Sequence, residues 1–423
     1  MLEKGNWTSY AACGIPYVVS GAVDSLDDLV ARTPQEFRDR QRIDVRMRHE
    51  AMAIDPDRGQ LEIRDHEHSR TIRIGYDQLL IATGARPIRP DLPGIDLDHV
   101  RGVQTLDDAQ ALLDLAKGRN CRKVVVVGGG YIGLEMAEAF LNWGAEVTLL
   151  DSAPQVMRTL DRDMADRILP ELERRGVDVR LNQEVTGFEP RGVVTVGGEI
   201  AADLVLLGLG VTPNSGLAAD AGMELGARGS VRVDRRQRTP TDGVWAAGDC
   251  AETYHLVSRR PIHVALGTVA NKAGRVAGAN LGGGYATFPG VVGTAITRIC
   301  DTEIARTGLT EFEATEAGFG YVTATVDTHT RAGYFPGARP MTVKMVAERE
   351  TGRLLGTQIV GGDGSAKRID TAATAITAQM TVADVVDLDL SYAPPFSGVW
   401  DAIAVAARVA VREVESARSG GGR

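Results

Sequence analysis

Residues 122–151, RKVVVVGGGYIGLEMAEAFLNWGAEVTLLD, leave this chain little freedom of fold. Four consecutive valines, Val124 to Val127, have the pattern of a strand buried on both faces of a parallel sheet. Glycines then make a turn, an amphipathic helix follows, and a second apolar run ends at Asp151, which is a βαβ unit. Gly128, Gly130 and Gly133 fill the G-x-G-x-x-G positions: one turns the chain, one admits a pyrophosphate against bare backbone, and one lets helix and strand pack closely. The helix N-terminus, beginning at Tyr131 and Ile132, offers positive partial charge to phosphates. A lone glycine motif is weak, but this one has the preceding strand, the following helix and an acid, Asp151, about 20 residues on. The expectation is dinucleotide binding, with Asp151 accepting hydrogen bonds from the adenosine ribose and repelling the extra phosphate of NADPH. NADH is the favoured donor and NADPH the alternative. Arg158 is read as a solvated surface arginine that would otherwise soften the preference.

At 423 residues the chain exceeds one ordinary core, so two or three domains of roughly 100 to 200 residues are expected. Its 43% hydrophobic and 24% charged residues are those of a globular protein rather than a disordered or membrane chain. A net charge of −9 argues against non-specific nucleic-acid binding. No apolar run approaches the roughly 20 residues of a membrane span and no signal peptide is evident, so a cytoplasmic location is expected. Cys13, Cys121, Cys250 and Cys300 form no CxxC or metal-ligand spacing, which excludes a metal site and a disulfide framework from the expectations. His66 and His68, flanking Glu67, read as a solvated strand edge or turn.

Two segments flank the βαβ unit. YDQLLIATGARPIRPDLPG, around Ala82, Thr83 and Gly84, reads as a strand ending in a glycine turn, and TPTDGVWAAGDCAE as a short strand ending in Gly248 and Asp249. A carboxylate at a strand end beside a helix N-terminus binds a sugar-like hydroxyl while the helix amides take phosphate.

With these segments placed around an inserted βαβ domain, the chain resembles the pyridine nucleotide-disulfide oxidoreductase superfamily over nearly its whole length. The resemblance implies an α/β fold of two Rossmann-like domains, an FAD domain interrupted by an NAD(P)H domain, and a C-terminal α+β dimerisation domain. The expected boundaries are residues 1–112 and 239–288 for the FAD domain, 113–238 for the NAD(P)H domain, 289–416 for dimerisation and 417–423 for a flexible tail. It further implies that Asp249, after Gly248, holds the FAD ribitol, that Thr83 and Gly84 lie near the flavin-domain phosphates, and that Tyr131 gates the nicotinamide pocket. Glu135 would sit near the nicotinamide amide, and Gly210 joins the cofactor contacts.

SYAACGIPYVVSG is similar to the active-site segment of coenzyme A-disulfide reductases and the related NADH oxidases and peroxidases, which use a single cysteine. The CxxxxC pair of the glutathione-reductase type is absent, because Val18 stands where the second cysteine would be. THTRAGYFPGARPMTVKMV, KRIDTAATAITAQMT and SYAPPFSGVWDAIAVAARVA resemble the dimerisation domain of the same subgroup. By that resemblance Tyr334 and Tyr392 of one subunit reach the cysteine of the other in a homodimer; without it, aromatic residues near Gly and Pro read as packing. Cys121, read as opening a buried strand, and Cys300 are taken as inert core thiols, and Cys250 as structural.

The superfamily's FAD domain opens with its own strand, glycine turn and helix, then a second strand ending in an acid. MLEKG matches the end of that second strand, with Glu3 as the adenosine-ribose ligand, so about 30 residues of a βαβ unit, the pyrophosphate cradle among them, are expected upstream of an internal Met1. The alternative is a non-catalytic dinucleotide-binding protein that holds FAD poorly.

Cys13 is expected at a helix start, with Pro16 in the first turn, where the helix N-terminus would stabilise a thiolate. Coenzyme A disulfide, or a related persulfide or polysulfide, would be attacked by Cys13, with Tyr392 protonating the departing thiolate and Tyr334 assisting. With oxygen or peroxide as oxidant, Cys13 would cycle through sulfenic acid instead. Departures from the subgroup pattern, Ala12 for an asparagine and Gly398 and Ala402 for prolines, bear on the substrate more than on the reaction type. The variant with a fused rhodanese-like extension is not expected.

Overall fold

A computed structural model of the chain describes residues 1–119 and 121–420. The valine run forms the strand Lys123–Val127 at the centre of a five-stranded parallel sheet, in the order Asp178–Arg180, Glu146–Leu150, Lys123–Val127, Leu204–Leu207, Val100–Arg101. Val124 to Val127 are all buried, because the helices Leu106–Arg119 and Tyr131–Asn142 and a three-stranded antiparallel meander cover the sheet. The helix Tyr131–Asn142, hereafter the cleft helix, turns Leu134, Met136, Ala137 and Phe140 into that core. Cys121 does not open the strand: it is half-buried in the lead-in, its amide donating to Ala116.

The chain enters and leaves this unit through a narrow neck, where Ala85–Pro87 pairs antiparallel with Val211–Pro213. On the far side of the neck Leu79–Ile81 pairs in parallel with Val244–Ala246, and Leu2–Glu3 pairs in parallel with Arg46–Met47. These are two separate pairs, with no strand joining them among the described residues. An antiparallel sheet, His49–Asp55, Gln60–Asp65 and Arg70–Gly75, packs beside them. His66, Glu67 and His68 form its second turn, gathered around the buried Asp65, which accepts from the Glu67 and His68 amides, His68 Nδ1 and Arg70 Nε.

The C-terminal third is a five-stranded antiparallel sheet, ordered Ala295–Ile299, Thr302–Gly308, Leu354–Gly361, Pro340–Glu348, Tyr321–His329. Its covering helix Ala402–Gly420 buries Ile403, Ala406, Ala407, Ala410 and Val414, a stripe at helical spacing. That helix corrects one expectation. Residues 417–420 are helical rather than frayed, because Arg418 Nη2 reaches back 2.5 Å to the Glu350 carbonyl; residues 421–423 lie outside the described residues. Cys300 is buried in the turn of the first hairpin at a φ of 54°, its thiol pushed up to about 11 chiefly by burial. Cys250 is fully buried against the Ile81 and Ala247 carbonyls.

Candidate active site

The glycine turn after Lys123–Val127 opens a cleft of about 410 Å³. Gly128 sits at a φ of 105°, and a Cβ there would lie 2.5 Å from the Gly208 carbonyl oxygen. At Gly133 a Cβ would lie 1.9 Å from the Gly128 carbonyl oxygen, so the third glycine is demanded by packing. Gly130 differs: it is the N-cap of the cleft helix, and nothing stands within 3.9 Å of its missing Cβ. The space above it is the cleft itself. Asp151 lines the same cleft, its carboxylate fixed by the Gly129 and Ala153 amides at 2.8 Å each. Gly129 and Gly208 were missed by the motif reading, yet both line the cleft, Gly129 through the strand-end contact with Asp151. Gly210 and Ile132 fall outside the lining: Gly210 lies one residue beyond Leu209, and Ile132 packs on the core. Arg158 is exposed, as its reading as a solvated arginine expects, and it also lines the cleft near Asp151.

One turn along the cleft helix, Glu135 accepts a 2.6 Å hydrogen bond from Thr297 Oγ1 of the C-terminal sheet. Burial raises the Glu135 pKa, the Thr297 bond opposing and Glu138 adding to the rise. Tyr131, at the helix start, has its hydroxyl buried beside Thr159, and burial pushes its pKa up.

Cys13 lies in the single turn Ala12–Gly14, immediately before the helix Ile15–Val19 that carries Pro16 in its first turn. Gly14 keeps the turn against Leu29, whose Cδ2 would lie 2.3 Å from an added Cβ. Ile15, Val18 and Val19 are buried in the core that also holds Leu134 and Ala137 of the cleft helix, so the cysteine is anchored beside Glu135. Cys13 is exposed, yet its thiol pKa is raised, first by desolvation of the sulfur and then by the negative charges of Glu135 and Asp249. The five-residue helix supplies little dipole to favour a thiolate, while desolvation first and then two carboxylates from distant segments act against it. Tyr17, absent from the sequence reading, is exposed on the same helix and senses Glu135 and Cys13.

Asp249 follows Gly248, whose φ of 85° turns the chain, and Gly248 abuts Ala270 in the first turn of the helix Gly267–Leu281. The Asp249 carbonyl is bonded by His263 Nε2 at 2.8 Å. Its carboxylate pKa is raised by burial, with His263 opposing. Thr83 Oγ1 donates to the Asn214 carbonyl at 2.6 Å and Asn214 Nδ2 returns a bond to the Thr83 carbonyl, so Thr83 and the φ-positive Gly84 sit at the neck. Glu3 Oε1 accepts from the Gly5 amide at 2.7 Å.

Tyr334 and Tyr392 come together on the outer surface of the C-terminal domain, 78% and 46% exposed. Arg368 ties their loops, bonding the Thr330 and Phe396 carbonyls and Asp401. Partial desolvation and then the neighbouring Tyr334 hydroxyl raise the Tyr392 pKa. Phe396, Val399 and Trp400, in the segment that follows Tyr392, are exposed as well.

The pattern of the pyridine nucleotide-disulphide oxidoreductases matches residues 1–270, and that of their dimerisation domain residues 294–403. The chain belongs to this family. This oxidoreductase is 41% identical to an NAD(P)H coenzyme A polysulfide/persulfide reductase of Pyrococcus horikoshii, over 97% of its own length and 92% of the relative's. It is 34% identical to an NADH oxidase of Methanocaldococcus jannaschii, over 98% and 93%. A solved NAD-dependent persulfide reductase from A. fulgidus superposes with a TM-score of 0.94 at 37% identity, covering 98% of this chain and 78% of that one. The protein is thus an FAD-dependent NAD(P)H oxidoreductase with α/β nucleotide domains and a C-terminal dimerisation domain. No helix among the described residues is long and apolar enough to cross a membrane. The residues present fit the flavin's polyol: Asp249 Oδ1 is buried and no hydrogen bond within the chain reaches it, an acceptor that a sugar hydroxyl satisfies.

Proposed function

We propose that this oxidoreductase reduces a low-molecular-weight disulfide, persulfide or polysulfide of the coenzyme A type at the expense of NAD(P)H, through Cys13. One observation carries the reading: an exposed cysteine, in the turn before a helix packed against the dinucleotide-cleft helix, lies within electrostatic reach of both Glu135 and Asp249, whose buried Oδ1 has no hydrogen-bond partner within the chain. The polysulfide/persulfide reductase among the relatives supports the substrate class. The overall balance is R–S–S–R′ plus NAD(P)H plus a proton giving two thiols and NAD(P)⁺.

Gly130 leaves room for the dinucleotide pyrophosphate, the cleft helix faces it with free amides, and Asp151 accepts from the ribose. Glu135 orients the nicotinamide amide, and Asp249 with Glu3 holds the sugar hydroxyls of FAD. FAD held there would supply the two-electron chemistry that links NAD(P)H to sulfur. The Cys13 thiolate attacks one substrate sulfur, the S–S bond breaks, the first thiol leaves, and Cys13 is left in a mixed disulfide. Reduction of that disulfide frees the second thiol. Tyr334 and Tyr392 are read as reaching the Cys13 of a partner subunit in a homodimer, where Tyr392 gives its proton to the departing thiolate. Their exposure and their proximity to each other support this role.

Cys13→Ser is the test. Reduction of coenzyme A disulfide and of its persulfide vanishes, while NADH-dependent reduction of an artificial electron acceptor survives. Retained disulfide reduction would overturn the proposal, and so would a wild-type enzyme that turns over oxygen or peroxide but none of the sulfur substrates.

A further inference from the structure

One wall of the dinucleotide cleft, packed beside the glycine turn, is an irregular segment, residues 152–161, of which Ser152, Met157, Arg158 and Thr159 line the cleft. Irregular backbone of this length holds its shape only if something fixes both ends. Its near end is fixed inside the nucleotide domain, by Asp151 to the Ala153 amide and by the Met157 amide to the Gly129 carbonyl. Its far end is fixed by the C-terminal domain of the same chain. Arg306 Nη1 donates 2.7 Å to the Thr159 carbonyl. Gln358 bonds Asp161 twice, accepting from its amide at 2.8 Å and donating to its carboxylate at 2.6 Å, while the Glu311 amide takes the other carboxylate oxygen at 3.0 Å.

Behind these contacts stands a buried lysine. Lys344 is only 3% exposed, and its ammonium lies 2.5 Å from Glu311, 2.6 Å from Asp163 and 3.2 Å from Asp161. The three acids bring one oxygen each within 4.8 Å of one another, the arrangement of a cation site, and here the cation is the lysine. Burial would lower the Lys344 pKa, but the bonds to Asp163 and Glu311 hold it above its ordinary value, so the group stays charged. A buried ammonium in such surroundings fixes geometry more than it adds stability.

We propose that Lys344, Gln358 and Arg306 are positioning residues for the dinucleotide, clamping the wall of its cleft from the dimerisation domain. The chain of contacts continues past the wall: Thr159 lies against the Tyr131 hydroxyl, and Tyr131 begins the helix that faces the nicotinamide. The C-terminal sheet thus grips the nicotinamide end twice, through Thr159 and through Thr297 to Glu135. The dinucleotide affinity therefore depends on residues that never touch the dinucleotide, and the chemistry at Cys13 does not. This inference rests on the assignment of the cleft as the NAD(P)H site.

The experiment uses the flavin-loaded enzyme. Calorimetric titration with NAD⁺, which the oxidised enzyme does not consume, gives Kd directly. Steady-state kinetics give KM for NADH against kcat, and dithionite as electron source isolates disulfide reduction from the dinucleotide. Lys344→Met should raise Kd and KM about tenfold with the dithionite-driven rate unchanged, and Lys344→Arg should restore most of the affinity. Gln358→Met removes the neutral contact to Asp161 without stranding a charge, and decides the matter should Lys344→Met not fold; it should raise Kd in the same direction. Unchanged Kd in a folded variant would overturn the clamp while leaving the cleft assignment intact. Failure of NAD⁺ to bind the wild type would overturn both.

Discussion

Behind desolvation of the sulfur, the charges of Glu135 and Asp249 raise the Cys13 pKa, and the sign of their effect is open to direct measurement. The thiolate is the reactive form, so alkylation of Cys13 accelerates as pH rises through its pKa. Removing a neighbouring negative charge lowers a raised thiol pKa. Glu135→Gln should accordingly shift the alkylation profile to lower pH, and Asp249→Asn should do so by less, since Glu135 is the stronger of the two charges. A profile that moved upward in Glu135→Gln would contradict this electrostatic picture. The glycines make a second pair of residue-scale predictions. Gly133→Ala forces a methyl group into the Gly128 carbonyl, an overpacking that should cost about 1–3 kcal/mol and lower the melting temperature. Gly130→Ala meets no atom of the chain, so it should melt like the wild type yet bind NAD⁺ more weakly. Thermal denaturation beside titration of both variants distinguishes a structural glycine from a ligand-facing one.

At the scale of elements, what the sequence makes legible is what the chain builds locally. Strand, turn and helix around Gly128 are written in consecutive residues, and the family segments around Thr83, Asp249 and Cys13 each stand on a short strand end or a single turn. The partners that tune those positions are not consecutive. Thr297 reaches Glu135 across 162 residues and Arg306 reaches Thr159 across 147, so no periodicity or motif announces them. The raised pKa of Cys13 has a similar origin: its local helix is readable, whereas the desolvation of its sulfur and the two distant carboxylates behind it are not. Composition misled at the C-terminus in the opposite sense. The Ser- and Gly-rich end of the sequence signals fraying, but the Arg418 bond to the Glu350 carbonyl carries the helix on to Gly420. Deleting residues 417–423 should therefore lower the melting temperature by about 2 °C, the size expected for one net hydrogen bond. An unchanged melting temperature would show that the helix end contributes nothing.

For the whole molecule, the exposed pair Tyr334 and Tyr392 predicts how two copies share their work. If the tyrosines serve the other subunit, a mixed dimer of one Cys13→Ser chain and one chain carrying both Tyr334→Phe and Tyr392→Phe contains one intact site, formed by the surviving cysteine and the surviving tyrosines. Either homodimer contains none. Co-expressed, separately tagged chains purified as the heterodimer should recover about half of the wild-type rate, whereas tyrosines acting on their own subunit's cysteine would leave the heterodimer as slow as its parents. The ammonium of Lys344 has a consequence for anyone recombining parts of such enzymes. A nucleotide module cut out between its neck strands would carry Asp161 and Asp163 away without their counter-ion, and a chimera with a foreign C-terminal third would inherit a mismatched socket. Working hybrids must transplant residues 152–163 together with Arg306, Glu311, Lys344 and Gln358, so the natural seam for exchanging cofactor preference runs through two domains rather than between them.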